Sequence, residues 1–92
     1  MVNNMLYAMY VNESNGSTYD EQTCRAYLDY GWTYEVEEVN MGTSYAEIKL
    51  VDFDVYFNSV NFIFFKMNED DDLVEHDIFK DPEYNPYLPK EE

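Results

Sequence analysis

Cationic residues are scarce in this chain: five Lys plus Arg stand against 20 Asp plus Glu in 92 residues, a formal net charge of -15. Arg25, Lys49, Lys66, Lys80 and Lys90 are scattered, with no basic stripe to neutralise phosphates, so nucleic-acid binding is excluded on electrostatic grounds. A single cysteine, Cys24, rules out an internal disulfide framework, and with the single histidine, His76, it cannot build a Cys/His zinc cluster. A reducing cytoplasm is the expected compartment. No stretch approaches the ~18 apolar residues of a membrane span. The opening "MVNNMLYAMYVNES" lacks both a basic n-region and a long apolar h-region. Neither secretion nor membrane insertion is expected. With three glycines there is no phosphate-cradling loop.

What is present argues for a fold. Hydrophobic residues make up 46% and aromatics 18%, including ten Tyr and six Phe, which is too apolar for a disordered acidic chain and enough for one core. Residues 1–92 therefore read as a single acidic domain. Its charge exceeds the roughly 2 to 8 that solubility needs. In a globule of about 12 Å radius of gyration, with a Debye length of about 8 Å, these charges repel one another.

Residues 5–11, "MLYAMYV", form the first expected strand, ended by the polar run "NESNGS". Thr18 with Glu21 makes a capping box, Asp20 and Glu21 suit a helix N-terminus, and Gly31 supplies a left-handed stop. One helix of about three turns follows, with Ala26, Tyr27 and Leu28 on or near its inner face and Cys24 adjacent. "WTYEVEEV", residues 32–39, alternates Trp32, Tyr34 and Val36 with Thr33, Glu35 and Glu37 as a half-buried strand does. After a hairpin loop at 40–44, residues 45–57 read as a third strand with Val51, Phe53, Val55 and Phe57 opposite Asp52, Asp54 and Tyr56. Ala46, Ile48 and Leu50 share the parity of the aspartates, so either a bulge near Leu50 switches faces or both faces are covered. "VNFIFFKM", residues 60–67, is the fourth strand and is apolar on both sides. The single helix covers one sheet face; the other needs the C-terminal segment, through Leu73, Val74, Ile78 and Phe79, or a second copy of the chain, and a homodimer is favoured.

Residues 68–84 hold eight acids, Glu69, Asp70, Asp71, Asp72, Glu75, Asp77, Asp81 and Glu83, against Lys80 alone. Asp70 or Asp71 can cap a short helix through "DLVEHDIF", and strand parity fits nearly as well. All three prolines, Pro82, Pro86 and Pro89, lie in the final stretch, where Tyr84, Tyr87 and Leu88 anchor an extended surface run. The expected fold is α+β: an antiparallel sheet of about four strands, one helix after the first strand, and a mostly irregular acidic C-terminal segment.

Chemistry is hard to place here. His76 lies among Glu75 and Asp77, which favour its charged form and suit a salt bridge better than a general base. Cys24 on a helix reads as core. "DDDLVEHDIFKD" has Asp at the first, third and twelfth positions of a calcium loop, but Val74 and His76 stand at the fifth and seventh and Glu75 replaces the required glycine. No catalytic, metal or cofactor site is expected.

The acids do suit imitation of a nucleic acid. Duplex DNA carries one charge per ~1.7 Å of axis, and alternate strand residues place carboxylates ~6.6 to 6.8 Å apart. Glu35 with Glu37 and Asp52 with Asp54 have that alternation, and Glu69, Asp70, Asp71, Asp72, Glu75, Asp77, Asp81 and Glu83 prolong the track. A basic DNA-binding groove is drawn to such a surface by long-range steering, and the tyrosines add rigid contact area with a polar tip.

In size, tyrosine-rich acidic character and lack of catalytic motifs, the whole chain resembles the small DNA-mimic anti-restriction proteins of bacteriophages, in particular the Arn type of T-even phages, which inhibits the McrBC endonuclease. The resemblance implies a phage protein acting early in infection, without enzymatic activity, that occupies the DNA-contacting surface of a host restriction endonuclease. The alternative is an acidic immunity-type or transcription-regulatory protein that binds a basic partner outside its DNA groove.

Overall fold

The alternation at the N-terminus, Leu6, Ala8 and Tyr10 against Tyr7 and Met9, becomes the middle of a sheet. The computed structural model describes residues 5–11 and 18–88, without the side chains of residues 18–21. The elements run β1 (Leu6–Tyr10), α1 (Thr18–Tyr27), β2 (Thr33–Met41), β3 (Ala46–Leu50), β4 (Tyr56–Asn58), β5 (Phe62–Met67) and β6 (Leu73–Glu75), with 3-10 turns at Ser59–Asn61 and Ile78–Lys80. The strands form one sheet in the order β4-β3-β2-β1-β5-β6, with each neighbouring pair antiparallel.

The expected α+β fold of about four strands is corrected to a largely β fold of six strands with one short helix. One added strand comes from residues 45–57, which are a hairpin and not a single strand. The chain reverses after Leu50, with Asp52 at φ 74° and the Phe53 amide donating to the Leu50 carbonyl at 3.1 Å. That reversal resolves the parity conflict, because Ile48 of β3 pairs with Phe57 of β4 and both face the core. A bulge does occur, in β2, where the register shifts between Val36 and Glu38. The other added strand, β6, lies in the acidic segment. Of the two readings left open for residues 70–79, strand holds at 73–75, followed by a single 3-10 turn that Asp77 caps by accepting from the Phe79 amide at 2.9 Å. Asp70 and Asp71 cap no helix. They sit in the β5–β6 turn, where the Asn68 side chain accepts from the Asp70 and Asp72 amides and Asp71 adopts φ 62°.

Helix α1 buries Cys24 and leaves Ala26 and Tyr27 exposed, with Leu28 buried just past its end, so its inner face is rotated from the expected one. The capping box of Thr18 and Glu21 lies outside the described side chains, as does the turn at 12–17 outside the described residues. Gly31 has the left-handed φ anticipated for it, 84°, but three residues beyond Leu28. There it bends the chain into β2: its amide donates to the Tyr10 carbonyl at 2.6 Å, and the Trp32 amide closes a turn onto Asp29 at 3.2 Å.

Register assigns the two faces. On one, Leu6, Ala8, Tyr10, Phe62, Phe64, Ala46, Ile48, Leu50 and Phe57 make the core with Cys24, Leu28 and Ile78. The C-terminal segment packs on this same face: Ile78 is fully buried and Phe79 and Tyr84 lie against the core. Leu73 and Val74, expected to help cover the second face, are exposed. Nothing among the described residues covers that second face.

Candidate partner-binding surface

The uncovered face is two different surfaces side by side. Across β1, β5 and β6 it presents Tyr7 and Met9 with their register partners Phe65 and Ile63, then Met67 beside Leu73, an apolar half bordered by Glu35 and Glu75. Across β2, β3 and β4 it presents Glu38 paired with Lys49, and Lys49 with Tyr56. The Tyr56 hydroxyl donates to Glu38 at 2.7 Å, and this bond raises the Tyr56 pKa, helped by burial and by the Glu38 charge.

The carboxylates expected to form a track are divided by the fold. Glu35 stays on the open face opposite Tyr7. Glu37 falls in the β2 bulge and pairs with Lys49 at 3.1 Å, so its alternation with Glu35 is interrupted. Asp52 and Asp54 lie in the β3–β4 loop and not on a strand, with Asp54 3.8 Å from Lys49. The Glu37 hydrogen bond and charge, with Asp54 and Tyr56, raise the Lys49 pKa against slight desolvation.

Glu69, Asp70, Asp71 and Asp72 are brought together at the β5–β6 turn, all exposed, and Glu75 and Asp77 follow along the same edge. None of these six forms a salt bridge among the described residues. In antiparallel order the β3–β4 loop lies at the end of the sheet where β1 finishes, and the β5–β6 turn at the end where β1 begins, on the opposite edge. The two acidic groups thus occupy diagonal corners of a body measuring 41 × 31 × 20 Å, with Glu35, Glu37 and Glu38 between them on β2.

Asp81 and Glu83 are used differently, holding the C-terminal segment down. Asp81 accepts from His76 at 2.7 Å and from the Glu83 amide at 2.8 Å, and lies 3.8 Å from Lys66. Glu83 is 3.6 Å from Lys66, whose ammonium also sits 5.2 Å from the centre of the Tyr84 ring. Burial is the largest influence on Asp81 and opposes its charge. The Glu83 amide, His76 and Lys66 together outweigh burial and hold the carboxyl below its ordinary value. Burial likewise works against the Lys66 charge, yet Tyr84, Glu83 and Asp81 raise its pKa on balance.

Glu35 and Asp81 are half-buried, and every other described carboxylate is exposed. Glu38 and Glu47 join this surface though alternation did not single them out. The adjacent acids of "EVEEV" were the available signal, since two consecutive charges cannot alternate on a strand unless a bulge intervenes. Among the described residues, no three His, Cys, Asp or Glu side chains gather to hold a metal ion, and no helix is long and apolar enough to cross a membrane.

The family model described as "Bacteriophage T4 protein Y07B" matches residues 5–90. An uncharacterized 11.2 kDa protein in the segB-ipI intergenic region of Enterobacteria phage T4 is 43% identical over 81 residues, covering 85% of this chain and 84% of its own length. No solved structure matches.

Proposed function

The chain belongs to the bacteriophage T4 protein Y07B family, and from that premise we propose that this phage protein is a DNA-mimic inhibitor of a host restriction or defence nuclease, occupying its DNA-binding surface. The observation that carries the reading is that Glu69, Asp70, Asp71, Asp72, Glu75 and Asp77 lie exposed along one edge and form no salt bridge among the described residues. A protein with a net charge of -15 accumulates self-repulsion there with no salt bridge from the described residues to relieve it, and a cationic groove on another molecule would supply the counter-charge. The long dimension of 41 Å is comparable to about twelve base steps of a strand at ~3.4 Å each. The imitation is of a charged outline with two acidic corners, and not of a regular strand-spaced ladder.

Pairing of two copies across the apolar half of the open face belongs to the same proposal. Ile63 and Leu73 are 37% and 42% exposed there, and burying them is favourable at roughly 25 cal/mol per Å².

The test is capture of the partner from bacterial lysate with this chain as bait, followed by titration of the purified complex with duplex oligonucleotide. Displacement by duplex, and inhibition of cleavage that more DNA overcomes, are expected. A ternary complex of chain, nuclease and duplex would instead establish binding outside the DNA groove.

A further inference from the structure

Strand β6 forms one edge of the sheet, and its register with β5 fixes where its backbone groups point. Two hydrogen bonds bracket the pair: the Asn68 amide donates to the Asp72 carbonyl at 2.9 Å, and the His76 amide to the Phe64 carbonyl at 2.8 Å. In an antiparallel ladder, residue pairs that exchange hydrogen bonds alternate with pairs that do not. Lys66 with Val74 is therefore the bonded pair between those two, while Phe65 with Glu75 and Met67 with Leu73 are non-bonded. The N–H and C=O groups of Leu73 and Glu75 thus face outward, away from β5. The strand is exposed along its whole length, and the chain beyond it turns onto the core face at Ile78. Leu73 is 42% exposed beside Met67 on the open face, and Val74 is 51% exposed on the core face. Glu75 shares the open face with Leu73, and Asp72 stands immediately before the strand.

We propose that β6 is the docking edge for an extended basic segment of a partner protein, which adds to the six-stranded sheet as a further strand. Natural sheets guard such edges with Pro, Lys or bulges, and β6 carries none of these. Its acids select the occupant instead. Antiparallel pairing of β6 with its own copy, centred on Val74, would set Asp71 of one chain against Asp77 of the other and join two bodies of net charge -15. A cationic strand meets the opposite field. In antiparallel register, the partner residues opposite Leu73 and Glu75 each exchange two hydrogen bonds with the edge. Cross-strand pairing asks for a cation opposite Glu75, apolar residues opposite Val74 and Leu73, and a second cation opposite Asp72. The partner strand therefore reads cation, apolar, apolar, cation from its N-terminus.

This inference rests on the reading of the chain as a binder of basic proteins, and its test is separable from that reading. The isotope-labelled full-length chain is titrated, under NMR observation, with the end-blocked hexapeptide Thr-Arg-Val-Ile-Arg-Thr. Saturable shifts centred on residues 73–75 are expected, with amide exchange at Leu73 and Glu75 slowed about tenfold or more at saturation. N-methylation of the first Arg and of Ile removes the two peptide donors that face β6 and should weaken binding about tenfold or more. N-methylation of Val and of the second Arg, whose amides face away, keeps every charge and side chain and should leave the affinity within about twofold. In the protein, Leu73→Pro removes one outward donor where an edge strand accommodates proline, keeps the net charge, and should weaken the peptide about fivefold. Equal affinity for the two methylated peptides, or shifts confined to residues 69–72 without protection of Leu73 and Glu75, would reveal attraction by charge alone and overturn the proposal. Absence of saturable binding would overturn it too. No nuclease enters this assay, so its failure leaves the duplex competition untouched, and failure of that competition leaves strand addition standing.

Discussion

Asp81 shows how one carboxylate among many acquires a distinct role from its surroundings. Its pKa is held below the ordinary value of 3.8, so the unfolded chain takes up a proton at that position more readily than the folded one. The stabilisation is complete above that unfolded value and is lost as the pH falls through the lower folded value. Acid titration followed by hydrogen exchange at the Glu83 amide should show the C-terminal segment loosening below pH 3.8. Asp81→Asn should cost about 2 kcal/mol in urea unfolding at neutral pH and remove that acid transition. Gly31 gives a second check at the same level. With φ at 84°, Gly31→Ala should lower stability by about 1 kcal/mol, and Gly31→Asn by less. The glycine's conformation was legible in the sequence. Its task was not, because the residues on which its turn closes, Tyr10 and Asp29, are set by how β2 returns alongside β1.

The hairpins decide where the charge goes. The β5–β6 turn is organised by Asn68, whose side-chain oxygen accepts the Asp70 amide at 2.9 Å and the Asp72 amide at 3.0 Å, so the aspartates project from an ordered loop. The β3–β4 loop carries Asp52 and Asp54, one of them already near Lys49. If the chain inhibits a nuclease as proposed, replacing Asp70, Asp71 and Asp72 together by Lys should weaken that inhibition by roughly a hundredfold or more through like-charge contacts. The same exchange at Asp52 and Asp54 should weaken it less, and circular dichroism should show both variants folded. Equal effects at the two corners would remove the β5–β6 edge from its leading place. Strand-forming runs located β1, β2 and β5, and alternation in β2 set Tyr34 and Val36 inward as found, but it set Trp32 with them, which is 63% exposed. It misread residues 45–57 because a two-residue period says nothing about a reversal in which apolar residues occupy both arms, and the left-handed Asp52 carries no glycine to announce the turn.

For the assembled protein, salt separates the forces at work. Partner binding driven by opposite charge should weaken steeply between low and moderate salt, as release of condensed ions requires. Self-association across Ile63, Phe65, Met67 and Leu73 should do the reverse, because each copy brings a net charge of -15 and screening lowers their repulsion. Sedimentation velocity should find more dimer as salt rises, and Ile63→Glu combined with Leu73→Glu should stay monomeric throughout. A monomer at every salt concentration would refute the dimer and leave the inhibitor reading intact.

Composition and order along the chain were enough to establish a folded acidic domain, the strand-forming runs, the burial of Cys24 and the charge excess, because each depends on local pattern or on totals. Which face stays open, and which acids stand together, was settled by packing. The C-terminal segment joins the helix on one side because Ile78 and Tyr84 find the core there and Lys66 anchors Asp81 and Glu83. The opposite side is thereby left uncovered by the described residues. Charge neighbours such as Lys49 with Glu37 and Asp54, or Lys66 with Asp81 and Glu83, belong to distant parts of the chain, and no one-dimensional period encodes the turns that bring them together.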